Sequence, residues 1–230
     1  MQHRTQERVA QLFQAGRYGE ALTILEDHLR TAPDDWHAYY LAGLGCRFMG
    51  AFDRAVAFLS NATTLNSGEA SILLALGIAH QLSGQFEQAV AALKKAIASD
   101  QNFIEAYNSL GLTYRKMGRF GEALQAYEEG TERLMELVSA EVHKDPSKCY
   151  CDEVIDGKKT RTILPYVLAK SFELLKADLR YAGLRNNAGV CLLELGDVEN
   201  ARKLFQDAIE CTPDGYDYPD PVRNLKQLDG

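Results

Sequence analysis

The chain has no long hydrophobic run. Its longest plainly apolar stretch, Ile72 to Ala79, is far shorter than the ~20 residues a membrane-crossing helix needs. It has no basic tract either. Lys and Arg number 25 against 32 Asp and Glu, for a net charge of −7 and a pI near 5.3. Nucleic acid is bound through clustered cations that displace counterions, so this composition argues against a nucleic-acid partner. Cysteine is sparse and odd in number: Cys46, Cys149, Cys151, Cys191 and Cys211. The polar opening "MQHRTQERVAQLFQAGR" lacks the apolar core of a secretory signal. Together these features speak against a disulfide framework and predict a reducing compartment, most simply the cytoplasm.

Catalytic signatures are missing as well. No phosphate-binding glycine loop, His-Glu-x-x-His or nucleophile elbow occurs. The five histidines (His3, His28, His37, His80 and His143) are scattered. Cys149 and Cys151 stand one residue apart, where zinc pairs have two to four intervening residues and redox pairs have two. His143 is the nearest histidine, and no second Cys/His cluster exists. The expectation is therefore no catalytic, cofactor-binding or metal residue. An asparagine sequon, "NATT" at Asn61, falls within a predicted helix and reads as incidental.

What the chain has is a period. "GRYGEAL" at Gly16, "GAFDRAV" at Gly50, "GQFEQAV" at Gly84 and "GRFGEAL" at Gly118 are each 34 residues apart. A fifth copy, "GDVENAR", starts at Gly196, 78 residues after Gly118, one period plus 44. Each glycine suits the left-handed end of a helix. Each is followed at helical spacing by an alanine (Ala21, Ala55, Ala89, Ala123, Ala201) and a large apolar residue (Leu25, Leu59, Leu93, Tyr127, Phe205). That spacing marks one buried face. Gly43, Gly77, Gly111 and Gly189 fall seven residues before the turn glycines. A mid-helix glycine costs about 1 kcal/mol relative to alanine, so its recurrence predicts close helix approach. Pro33 and Pro213 are expected between units, and Asn102 with Glu105 has capping-box spacing.

These residues resemble the tetratricopeptide repeat. "YNSLGLTYRKMGRFGEALQAYEEG" carries the resemblance best, through Tyr107, Leu110, Gly111, Tyr114, Gly118, Phe120 and Ala123. The resemblance spans roughly residues 2–137 and 182–215. It implies an all-α, right-handed superhelical solenoid of helix pairs. The first helix of each pair would line a concave groove. It also implies groove positions: Tyr40, Leu44 and Arg47; Leu74, Ile78 and Gln81; Asn108, Leu112 and Arg115; and Asn186, Val190 and Leu193. The carboxylate clamp of one subgroup is absent, because Gln6, Ala10, Leu74 and Ile78 occupy its positions.

The 44 extra residues interrupt this order. The second helix of the fourth repeat is overlong by its apolar spacing, reaching Val142 and ending before Asp145-Pro146. In "CYCDEVIDGKKTRTIL" (149–164), Asp156-Gly157 is a hairpin signal between β-branched segments. Helical spacing resumes after Pro165 through Val167, Phe172, Leu175 and Leu179. A last helix is expected after Pro221, with Val222, Leu225 and Leu228 on one face, covering the edge of the array. The organisation reads as four units over 2–137, an insertion over 138–181, a fifth unit over 182–215 and a capping helix and tail over 216–230.

The leading expectation is a non-catalytic scaffold that binds an apolar or amphipathic segment of another protein in the groove. Self-assembly into a homo-oligomer is the alternative. A metal- or redox-responsive module using Cys149 and Cys151 is the third.

Overall fold

The structure is a computed structural model of the chain. It describes residues 3–144, 150–155, 158–163, 171, 173–176, 178–213 and 216–229. The chain divides into two compact units, 1–117 and 118–230.

The first unit is a run of seven helices: α1 (His3–Gln14), α2 (Tyr18–Thr31), α3 (Trp36–Phe48), α4 (Phe52–Leu65), α5 (Ala70–Leu82), α6 (Phe86–Ser99) and α7 (Ile104–Lys116). Each packs on the next. The odd-numbered helices also touch in sequence, α3 on α5 and α5 on α7. The turn glycines set this pattern. Gly16, Gly50 and Gly84 have φ of 68°, 74° and 78°, a region that L side chains avoid. After α3, the Ala51 N–H reaches back to the Cys46 carbonyl at 2.9 Å. This bond, six residues back to one, satisfies an otherwise orphaned helix-end acceptor.

The core is the row just past each turn. Ala21, Leu25, Ala55, Leu59, Ala89 and Leu93 are fully buried. Burying one such leucine contributes about 2 kcal/mol. The recurring mid-helix glycines face them. A Cβ on Gly43 would lie 2.5 Å from Leu59 Cγ, and one on Gly77 would lie 2.6 Å from Leu93 Cγ. The glycines therefore let each pair close onto its leucine. Pro33 falls in the α2–α3 connection, as expected. Asp35 caps α3 there, accepting the Ala38 N–H at 3.0 Å and meeting His28 Nε2 at 2.8 Å. The capping box at Asn102 does not form. The cap position of α7 is Phe103, and the Asn102 N–H donates to Asp100 Oδ1 at 2.9 Å.

The second unit holds α8 (Phe120–Val142), strands β1 (Tyr150–Ile155) and β2 (Lys158–Ile163), α9 (Leu179–Glu194), α10 (Val198–Glu210) and α11 (Pro219–Asp229). At 23 residues, α8 is much longer than the 14 residues of α4 or α6, and it ends at Val142 as its apolar spacing predicts. β1 and β2 pair antiparallel, with Ile155 opposite Lys158 and Tyr150 opposite Ile163. The Asp156-Gly157 turn itself lies outside the described residues, as do Cys149, Pro165, Val167 and Phe172. The helix α9 packs directly on α8. The boundaries 137/138 and 181/182 drawn from the repeat fall inside α8 and α9.

The fifth joint repeats the chemistry of the others. Gly196 has φ 85°, and Ala201 and Phe205 are fully buried. A Cβ on Gly189 would meet Phe205 Cε1 at 2.7 Å. The last helix starts at Pro219 rather than after Pro221, because proline is well suited to the first helical position. On this helix Pro221 is buried and Leu225 and Leu228 are half-buried, whereas Val222, expected on the same face, is 37% exposed. The helix packs mainly on α10 and secondarily on α9, as a further first helix of a pair would.

Candidate functional site

Three first helices of the N-terminal unit present the expected groove positions side by side. Leu44 on α3, Ile78 on α5 and Leu112 on α7 share one repeat position and are all half-buried. Leu44 rests on the core cluster of Ala42, Cys46 and Leu59, and Leu74 rests on that of Leu73, Ala96 and Ala106. Tyr40, Leu74 and Asn108 form a second half-buried row. The Tyr40 phenol is pushed up from its ordinary value of 10.0 by burial, against the opposing influence of Arg47 and a hydrogen bond with Ser71 on α5.

The third row is not uniform. Arg47 and Arg115 are half-buried, and the Arg47 guanidinium lies 4.8 Å from the Phe48 ring centroid. Gln81, between them in the row, is only 6% exposed. Its amide donates to Thr113 Oγ1 at 2.7 Å, and Thr113 in turn donates to the Ser109 carbonyl at 2.8 Å. Gln81 thus acts as a joint between α5 and α7 rather than as open surface.

In the second unit, Asn186 is likewise closed off. It is 4% exposed and accepts from Asn224 Nδ2 of α11 at 2.9 Å. Val190 and Leu193 on the same helix stay half-buried.

The structure adds a cleft that the groove positions did not single out. About 520 Å³ lies between α1 and α3, lined by Val9, Ala10, Phe13 and Leu41, with Gln6 and His37 at its polar edge. The clue was present in the sequence: Val9 stands where later repeats carry glycine, and Phe13 where they carry Arg47, Gln81, Arg115 and Leu193. Phe13 continues into an aromatic run, meeting Tyr18 edge-on at 5.4 Å, and Tyr18 stacks on Phe48 at 4.8 Å. A second cleft of about 540 Å³, with Thr63, His80, Gln88 and Lys95 on its wall, involves none of the groove residues.

Among the described residues, no three His, Cys, Asp or Glu side chains converge as a metal site would require. Cys149 lies outside the described residues, as does the side chain of Cys151. Cys46, Cys191 and Cys211 are buried. Burial pushes the thiols of Cys46 and Cys211 up, away from the reactive thiolate. Among the described residues, no helix is long and apolar enough to cross a membrane.

Turn glycines, glycine-facing leucines and paired helices of this kind define a helical repeat protein. The chain carries tetratricopeptide repeats: models of that repeat match residues 82–118, 104–133 and 169–216. Repeats of this family typically build non-catalytic protein-interaction scaffolds. Solved structures share the fold at low identity. MamA is 19% identical, with 88% of this chain and 93% of that chain covered and a TM-score of 0.64. YrrB, described as a TPR protein with an unusual peptide-binding site, is 19% identical, with 95% and 88% covered and a TM-score of 0.61. TTC0263, a thermophilic TPR protein of Thermus thermophilus, is 17% identical, with 99% and 98% covered and a TM-score of 0.57. No curated relative matches the chain.

Proposed function

We propose that this chain is a cytoplasmic, non-catalytic scaffold that binds a peptide or amphipathic helix of a partner protein across α3, α5 and α7. The observation that carries this reading is the row of Leu44, Ile78 and Leu112. Three large apolar side chains occupy one repeat position on three adjacent helices and remain half-buried. Apolar area left partly in water contributes about 25 cal/mol per Å² when a partner covers it. The polar neighbours Tyr40, Asn108, Arg47 and Arg115 would fix register. YrrB is described as having an unusual peptide-binding site, and a peptide-binding face in this chain is part of the proposal.

The organisation follows the same reading. Four repeat units cover 2–137 and a fifth covers 182–215. The segment 138–181, with its β1–β2 hairpin, is an insertion that leaves α9 stacked on α8. The helix pairs follow the right-handed superhelical path that the family resemblance implies. Residues 216–230 supply a capping helix and tail.

The test is affinity capture from a lysate of the native host with immobilised wild type and with the triple variant Arg47→Ala, Ile78→Glu, Arg115→Ala. The expected result is loss of the specific partners at unchanged helicity. Retention of every partner overturns the groove assignment. A concentration series in light scattering addresses self-assembly: growth of the particle that ignores the triple variant favours a homo-oligomeric structural role.

A further inference from the structure

We infer that the segment taken by this groove is acidic, carrying two carboxylates that flank its apolar anchor. This rests on the groove reading above and names the class of partner.

The inference starts from where the arginines spend their charge. Among the described residues, eight arginines outside the groove rows hold a carboxylate within 4.0 Å, such as Arg17 on Glu20 and Arg54 on Glu26. Among the same residues, Arg47 and Arg115 hold none. The Nε of Arg47 is buried without a hydrogen-bond partner, and its guanidinium lies over the Phe48 ring. Glu69, an acid at the start of α5, accepts the Ser71 hydroxyl at 2.9 Å rather than pairing with an arginine. Acids exceed bases by seven over the chain, so carboxylates are abundant. Two groove cations left without them are therefore available to a partner.

Geometry sets the spacing. Packed helices lie about 9 Å apart, so Arg47 on α3 and Arg115 on α7 are separated by about 18 Å. An extended segment rising about 3.3 Å per residue covers that in about five to six residues. The Leu44, Ile78 and Leu112 row runs alongside, and Gln81 leaves the middle of the charged row neutral and closed. The segment that fits has Asp or Glu at two positions about five or six residues apart and an apolar side chain between them. Paired charges at a partly desolvated surface raise both the association rate and the specificity.

A random ten-residue peptide display on wild type and on Arg47→Glu/Arg115→Glu tests this. The wild-type pool is expected to enrich the spaced acidic pair. The reversed chain is expected to enrich Lys or Arg in its place. Synthetic winners should bind wild type at least tenfold tighter than the milder variant Arg47→Gln/Arg115→Gln, with the gap shrinking in high salt. The Gln variant supplies the comparison if the reversal impairs folding. A neutral or basic wild-type pool overturns the inference, as does an acidic pool indifferent to the Gln variant. Apolar, uncharged winners that are lost on Ile78→Glu overturn the acidic partner while leaving the groove standing. Failure to enrich any peptide, or winners indifferent to Ile78→Glu, overturns both.

Discussion

Asn108 and Asn186 occupy the same position in two repeats, one in each compact unit. On α7 of the first unit, Asn108 stays half-buried in a row with Tyr40 and Leu74. On α9 of the second unit, Asn186 is 4% exposed because α11 lies over it and Asn224 donates to its carbonyl. The helix surface is the same kind of surface in both places. The neighbour differs: α11 packs as a further first helix, closing the end of the second unit. Whether a repeat position is covered is therefore decided by the next helix in the stack, and in the first unit the apolar row of α3, α5 and α7 stays half-buried.

Beneath this difference each unit contains a joint of the same kind, and breaking it gives the largest expected effect. Leu93→Ala in the first unit should cost about 2–5 kcal/mol and Phe205→Ala in the second about 3–5 kcal/mol, measured by denaturant unfolding. Similar losses would show that the excursion between α8 and α9 leaves the joint intact. A loss well below about 2 kcal/mol for Phe205→Ala would mean the fifth pair is loosely packed.

The glycines sharpen the same point within one helix. Gly189→Ala drives a Cβ into Phe205, and such overpacking costs about 1–3 kcal/mol. Gly183, also on α9, would place its Cβ in open space. Gly183→Ala should therefore stabilise by up to about 1 kcal/mol. Equal signs for the two in thermal unfolding would contradict the close approach at Gly189.

The cover over Asn186 is a smaller effect. Asn224→Ala removes one side-chain hydrogen bond at a half-buried site and should lower stability by about 1 kcal/mol. It should also speed amide exchange in α11. An unchanged exchange rate would mean that the amide pair does not hold the cap.

A further effect, read by pH, is at the α2–α3 connection. Burial pushes the Asp35 carboxyl up, but hydrogen bonds from His28 and the Ala38 N–H outweigh it, and its pKa falls from 3.8 to about 2. A depressed folded value stabilises fully above the unfolded value and is lost as pH falls through the folded one. Stability should therefore decline between about pH 4 and pH 2 in wild type, and less in Asp35→Asn, which keeps a capping side chain. Identical pH profiles for the two proteins would remove Asp35 from that role.

The repeat was legible because its residues act locally. A turn glycine needs only its own φ, and all five recurring ones have it, from 68° to 85°. The large apolar residue beneath Gly43, Gly77 and Gly189 lies one helix away at fixed spacing, so it too could be read from the period. The length of α8 followed from its own apolar pattern. Gln81 was harder, because its burial depends on Thr113, 32 residues on, offering a hydroxyl across the helix contact. Asn186 was hidden for the same reason, since its partner comes from α11. Helix starts were misread where two caps compete: Asp100 takes the Asn102 N–H, and Pro219 starts α11 ahead of Pro221. In each case the missing information was a contact with a particular neighbour.

The central claim is that the partner lies on the α3–α5–α7 face. Photo-cross-linking in the native host tests it without knowing the partner. A benzoylphenylalanine would be placed in turn at Leu44, Ile78 and Leu112, and for comparison at Leu65 and Met135, which are 43% and 47% exposed. The account predicts a common cross-linked product from the first three positions and none of it from the other two. Cross-links to the partner from Leu65 or Met135 alone would contradict it.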